Sequence, residues 1–248
     1  MAAGMFELRA MGAAARLTLT RPEARNAVPA GRWTELGAAA RQAVAHGARL
    51  LVVAGAGSAF CAGADISDFA AMGADPAARE AFRLDMREGI EALASLPVPT
   101  VAAIQGPCFG AGVALAMACD VRVAGAQAMF AVTPAKFGIG YPQEDVRRLV
   151  SLVGPGQASR LLLTAQPVTA DEALRIGLVE ILAADLEAEL ERLAAAILAG
   201  SGDSHATLKR AVSLAAAGIA SDAAQDQAFD ALLGSETLHR RLAERGKG

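Results

Sequence analysis

Cysteine is sparse in this chain of 248 residues. Cys61, Cys108 and Cys119 are the only three, none forms a CxxC pair, and an odd count argues against a disulfide framework. A reducing, cytoplasmic setting is expected. Histidine is equally thin: His46, His205 and His239 lie far apart without ligand spacing, so no zinc site is expected. There is no excess of basic charge either. The formal net charge is -3 and the pI is near 5.7, which excludes a strongly basic nucleic-acid surface. No apolar run reaches the ~18 residues a membrane span needs. The richest stretch, residues 98–118, is interrupted by Pro99, Gln105, Gly106 and Pro107. The first residues lack a basic start followed by an apolar run, so no signal peptide is expected.

What is present is globular: 54% hydrophobic and 20% charged residues. Phe6, Leu8, Leu17 and Leu19 alternate with polar residues, which predicts a hairpin. Residues 29–45 and 77–96 carry helical stripes (Trp33, Leu36, Ala40, Val44; then Phe82, Met86, Ile90, Leu93). Short apolar runs at 50–53, 100–104 and 121–124 predict buried strands, with an apolar helix at 110–118. After Pro142 helices dominate, at 146–152, 157–164, 170–175 and 186–198, with two or three more beyond. Strands alternating with helices, then a helical tail, make an α/β pattern with an α extension. No low-complexity linker divides the chain.

Several nucleotide and nucleophile motifs fail. Ala54-Gly55-Ala56-Gly57 follows a strand, but Phe60 stands where a dinucleotide loop needs its third glycine. Neither a Gly-Lys-Ser/Thr of a P-loop nor a G-x-S-x-G elbow occurs.

Two small-residue segments survive, each after a short apolar strand: Ser58-Ala-Phe-Cys-Ala-Gly-Ala-Asp-Ile66 and Gln105-Gly-Pro-Cys-Phe-Gly-Ala-Gly112. Small residues let backbone approach a ligand closely. Two N–H groups from different segments can then aim at one oxygen, an arrangement in which one donor contributes about 2.7–4 kcal/mol to a transition state. The second segment opens a helix, whose free N–H groups add positive potential. Two tight turns that need small residues only for packing would read the same way.

These segments resemble the two signatures of the enoyl-CoA hydratase/isomerase (crotonase) superfamily. Arg21-Pro-Glu-Ala-Arg-Asn-Ala27 is similar to its early R-P-x-x-x-N-A, and Leu174-Arg-Ile-Gly-Leu-Val179 to its late A-x-x-x-G-L-V. Order and spacing agree over nearly the whole chain. The resemblance implies a crotonase-like spiral of ββα units over residues 1–190 and a helical trimerisation region over 191–248, assembled as a homotrimer or a hexamer of two trimers. It implies an acyl-CoA thioester as substrate, with coenzyme A part of that substrate and no separate cofactor, metal, nucleic acid or membrane. The backbone N–H groups of Ala64 and Ala111 would form the oxyanion hole. Ala62, Ala64, Asp65 and Ile66 would lie against the adenine end of CoA, and Arg25 would meet its phosphates or pantetheine, with Lys247 a further phosphate contact.

One departure matters. The hydratases carry two glutamates that position water and move protons; the matching places here are Ala114 and Ala135, so the two-glutamate hydration is not expected. Residues 133–141 are similar to the methylmalonyl-CoA decarboxylase branch, where a tyrosine at the place of Tyr141 contacts the acyl carboxylate. The second candidate is Glu144 with Asp145, one of which would serve as a relocated base for a double-bond shift. Both also read as helix-start carboxylates, and Tyr141 as a packed aromatic. Cys108 reads as a small packed residue. Asp65 and Asp68 are expected to cap the turn after the first segment. Three outcomes stay open: an active acyl-CoA enzyme (isomerase, malonyl-type decarboxylase or atypical hydratase), a catalytically silent thioester binder, or a structural paralogue whose trimer surface is its function.

Overall fold

The computed structural model describes residues 4–245. The chain opens with the hairpin its alternation predicts. β1 (Phe6–Met11) and β2 (Ala14–Leu19) pair antiparallel with Phe6 opposite Leu19 and Leu8 opposite Leu17. After α1 (Trp33–Ala45) come β3 (Leu50–Gly55), the short α2 (Phe69–Met72) and α3 (Pro76–Ala94). Then β4 (Thr100–Ile104), β5 (Pro107–Phe109) and α4 (Ala111–Ala118) form one ββα turn. β6 (Val121–Gly125), β7 (Met129–Ala131) and α5 (Gln143–Thr164) form the next. β8 (Val168–Thr169), α6 (Ala170–Arg175) and β9 (Ile181–Ala183) complete the spiral.

Each turn places one strand in each of two layers. The large sheet runs β1-β2-β3-β4-β6-β9, parallel from β2 onward, and the small one runs β5-β7-β8. The central strands are buried on both faces, which is why Leu50 to Ala54 and Thr100 to Ile104 read as unbroken apolar runs rather than alternation. Leu51, Val53, Ala102 and Ile104 face the main core with Trp33, Leu36 and Ile90. Leu50, Val52, Val101 and Ala103 face a second core that α7 (Leu186–Leu198) covers with Leu190, Leu193 and Ile197.

Two expectations are refined. The helices expected at 146–152 and 157–164 are the two arms of α5, which meet at non-helical Gly154 (φ 73°, ψ 163°) before Pro155. A domain boundary at 190/191 falls inside α7, whose covering of the second core makes it part of the spiral. The helices that stand clear of that core are α8 (Gly202–Ala216), α9 (Ala223–Leu233) and α10 (Glu236–Arg245), none of which contains a fully buried residue. They are tied to the spiral through Lys209, whose Nζ lies 2.8 Å from Asp120 Oδ2 and 3.1 Å from the Val98 carbonyl, and through Arg49, which donates to the Gly200 carbonyl at 2.7 Å. Among the described residues no helix is long and apolar enough to cross a membrane.

Candidate active site

The first small-residue segment is held from one side by residues 21–28. Asn26, fully buried and left-handed (φ 58°), donates through Nδ2 to the carbonyls of Ala56 (2.9 Å) and Ala59 (2.8 Å). Its Oδ1 accepts from the Arg21 N–H at 3.0 Å. Asparagine tolerates this backbone better than most residues. The Val28 N–H donates to the Gly63 carbonyl and the Asp65 N–H to the Val28 carbonyl. The R-P-x-x-x-N-A stretch is therefore a clamp on the first segment.

The second segment grips it from the other side. The Phe60 N–H donates to the Pro107 carbonyl (3.0 Å), and the Phe109 N–H donates to the Cys61 carbonyl (2.9 Å). The approach is too close for side chains at two places. A Cβ on Gly112 would lie 2.2 Å from the Cys61 carbonyl oxygen, and one on Gly63 only 3.0 Å from the Ala111 nitrogen. Gly63 also takes φ +101°, which other residues rarely adopt. This contact sets Ala64 and Ala111 side by side on the wall of one cavity of about 960 Å³. Among the described residues, neither the Ala64 nor the Ala111 N–H donates to a protein acceptor. Ala111 is the first residue of α4, where helical N–H groups have no partner within the helix.

Arg25, Ala62, Asp65, Ile66 and Tyr141 line the same cavity. Arg25 is exposed at its mouth, and its carbonyl accepts from the Ala62 N–H at 2.9 Å. Ile66 and Phe137 expose apolar surface beside it. Asp65 is spoken for: it caps the turn through Ser67 and pairs with Arg21 at 2.5 Å. The Ser67 hydroxyl first, then Arg21, hold its carboxyl down to about 2. Asp68 does not cap as expected, because its carboxylate accepts from the Ala30 N–H at 2.8 Å and leaves the start of α2 without a side-chain cap. Lys247 lies outside the described residues.

At the other end of the cavity the expectation needs correcting. Glu144 does not line the cavity; its carboxylate is 55% exposed and pairs with Arg87 at 2.5 Å. The next residue, Asp145, lines the cavity and is 1% exposed. Its Oδ1 accepts a long bond from Arg148 (3.3 Å), and its buried Oδ2 has no hydrogen-bond partner among the described residues. Burial pushes its carboxyl above the ordinary range, against the pull of Arg87 and Arg148. Tyr141 donates its hydroxyl to the Gly110 carbonyl at 3.0 Å, one residue before Ala111. Burial and then the charge of Asp145 push the Tyr141 phenol well up. Ala114 is fully buried in α4 and Ala135 is exposed, so neither usual glutamate place faces this cavity. Cys108 is buried with its thiol held protonated by desolvation. Among the described residues no group of His, Cys, Asp or Glu is placed to hold a metal ion.

Comparison with known proteins agrees with this architecture. The family model described as enoyl-CoA hydratase/isomerase matches residues 9–246. The Mycobacterium bovis protein named "Probable enoyl-CoA hydratase echA6" is 40% identical over 187 residues, covering 72% of each chain. An enoyl-CoA hydratase/carnithine racemase structure from Magnetospirillum magneticum superposes with a TM-score of 0.93 at 29% identity, covering 99% of this chain and 94% of that one. A Thermobifida fusca structure in complex with acetoacetyl-CoA superposes at 0.81 and 30% identity, covering 97% and 96%. With a spiral of ββα turns, four ordered signatures and a family match over almost its whole length, this chain belongs to the enoyl-CoA hydratase/isomerase family.

Proposed function

We propose that this protein is an acyl-CoA enzyme, a lyase or isomerase, that stabilises the enolate of a bound thioester. The observation that carries the reading is the pair of unpartnered N–H groups of Ala64 and Ala111, set together on one cavity wall. Directed at a thioester oxygen, they would strengthen their bonds as negative charge develops there, which lowers the barrier to enolisation. The thioester bound by the Thermobifida fusca relative is of this enolisable class. Arg25 at the mouth suits a CoA phosphate. Ala62, Asp65 and Ile66 would flank the adenine, Asp65 through its backbone because its carboxylate is occupied. No cofactor beyond the substrate's own coenzyme A is invoked.

Hydration through two glutamates is not supported, since Ala114 and Ala135 cannot hold a proton. The decarboxylase reading needs the Tyr141 hydroxyl for a substrate carboxylate, whereas that hydroxyl donates to Gly110. The free, buried thiols fit a reducing cytoplasm. A homotrimer or a pair of trimers is supported by apolar side chains exposed on α8 and α9, with Val212 70% and Phe229 61% exposed.

The test removes one amide. Ala111 is the first helical residue, the position where proline is best tolerated, and Ala111→Pro deletes the N–H. A panel of enoyl-, 3-hydroxyacyl- and malonyl-type thioesters is followed by mass spectrometry. The variant should fold and should lose about 10²–10³-fold in turnover. Unchanged turnover would overturn the reading.

A further inference from the structure

The acid end of the cavity holds a feature that the amide pair does not use. Asp145 sits in a five-membered charge cluster with Arg87 and Glu91 of α3 and with Glu144 and Arg148 of α5. The other four satisfy one another. Arg87 binds Glu91 (2.6 Å) and Glu144 (2.5 Å), and Arg148 grips both oxygens of Glu91 (2.8 and 2.7 Å). Two guanidiniums then balance two carboxylates, and an ionised Asp145, the most buried member, would leave the cluster one negative charge in excess. Its Oδ2, bare and buried, is where a proton would restore the balance. Asp145 also lies in the first turn of α5, whose N-terminal dipole favours the anion, so both protonation states are within reach. Burial, the larger influence, holds the carboxyl above its ordinary range, towards the pH at which general bases work best.

Building on the enolate reading, we propose that Asp145 is the proton-transfer residue of this site, taking a proton from the α-carbon of a β,γ-unsaturated acyl thioester and returning it to the γ-carbon. The C–H electron pair becomes the enolate, with its charge on the thioester oxygen at Ala64 and Ala111. The double-bond electrons then collect the same proton at the γ-carbon, leaving the α,β-unsaturated isomer. Nothing is gained or lost, no water enters, and one carboxyl suffices where hydration requires two. Arrival of the proton on Oδ2 turns the over-charged cluster into a balanced one, which favours the first step. Arg87, Glu91, Glu144 and Arg148 are positioning residues; together with Tyr141, they are the charged or titratable groups packed around this carboxyl.

The experiment uses the full chain with 3-hexenoyl-CoA in D₂O, and hexanoyl-CoA for binding by calorimetry. Wild type should form 2-hexenoyl-CoA and exchange α-deuterium. Asp145→Asn should melt cooperatively and bind hexanoyl-CoA as wild type does, and should lose about 10²–10⁴-fold in isomerisation and exchange. It should also lose the acidic limb of the pH profile, where wild-type rate falls as Asp145 protonates. Undiminished exchange in Asp145→Asn overturns the assignment, as does a wild type that binds hexanoyl-CoA but neither isomerises nor exchanges. If Ala111→Pro abolishes turnover and Asp145→Asn does not, this inference alone fails. A wild type that binds no thioester sinks the enolate reading beneath it.

Discussion

The two ends of the cavity are built from different materials. At one end the groups proposed to meet a ligand are main-chain amides, held by backbone of residues 21–28, 58–66 and 105–112. At the other end it is the side-chain carboxylate of Asp145, bonded by Arg148 of its own helix (3.3 Å) and 4.0 Å from Arg87 of α3. The first end is rigid because atoms cannot move without collision. The second is poised, with a buried oxygen short of a partner. Backbone geometry survives any change that keeps the residues small, whereas a side-chain acid can leave one position and appear at another.

The sharpest way to break this contrast is to add bulk at the amide end. Gly112→Val would drive carbon into the Cys61 carbonyl and should cost about 3 kcal/mol, read as a fall in the urea midpoint. An unchanged midpoint would mean the two segments are not in contact. Gly63→Ala is gentler: the left-handed backbone and the closeness to the Ala111 nitrogen should cost about 2 kcal/mol and reduce turnover more than binding.

The carboxylate end should answer with the opposite sign. Asp145→Asn removes a poorly satisfied buried charge while Arg87 and Arg148 keep Glu91 and Glu144, so stability should rise by about 1 kcal/mol at neutral pH. Because the folded carboxyl titrates above its unfolded value, its contribution is complete at low pH. That contribution fades as pH climbs from about 4 through the raised value, and the variant should lack this slope. Asp65 behaves in reverse and more weakly, as a partly exposed ion pair. Its stabilisation is present above about pH 3.9 and is lost as pH falls through about 2. Asp65→Asn should flatten that acid limb in pH-dependent melts.

The same contrast explains what could be read from sequence. The hairpin, the stripes of α1 and α3 and the buried strands β3 and β4 were legible because each runs for five residues or more with an unbroken pattern. The small sheet was not, since β5, β7 and β8 have three, three and two residues, too few to show a period. The amide end announced itself through its small residues. The acid end showed only as the pair Glu144 and Asp145, because neighbours in a helix point in different directions and packing against α3 decides which of the two turns inward. Asn26 showed only as one letter in a resemblance, while its buried bridging of Ala56 and Ala59 became visible with the fold.

The zipped segments also set how the molecule breathes. The Phe109 and Gly110 amides are bonded across to Cys61 and Ala131, so freeing them means parting the layers of the spiral. Their hydrogen exchange should track global unfolding. The Gly73 and Asp75 amides close only the exposed turn between α2 and α3 and can open alone. The turn between α2 and α3 on the cavity wall can therefore flex while the geometry around Phe109 and Gly110 stays fixed.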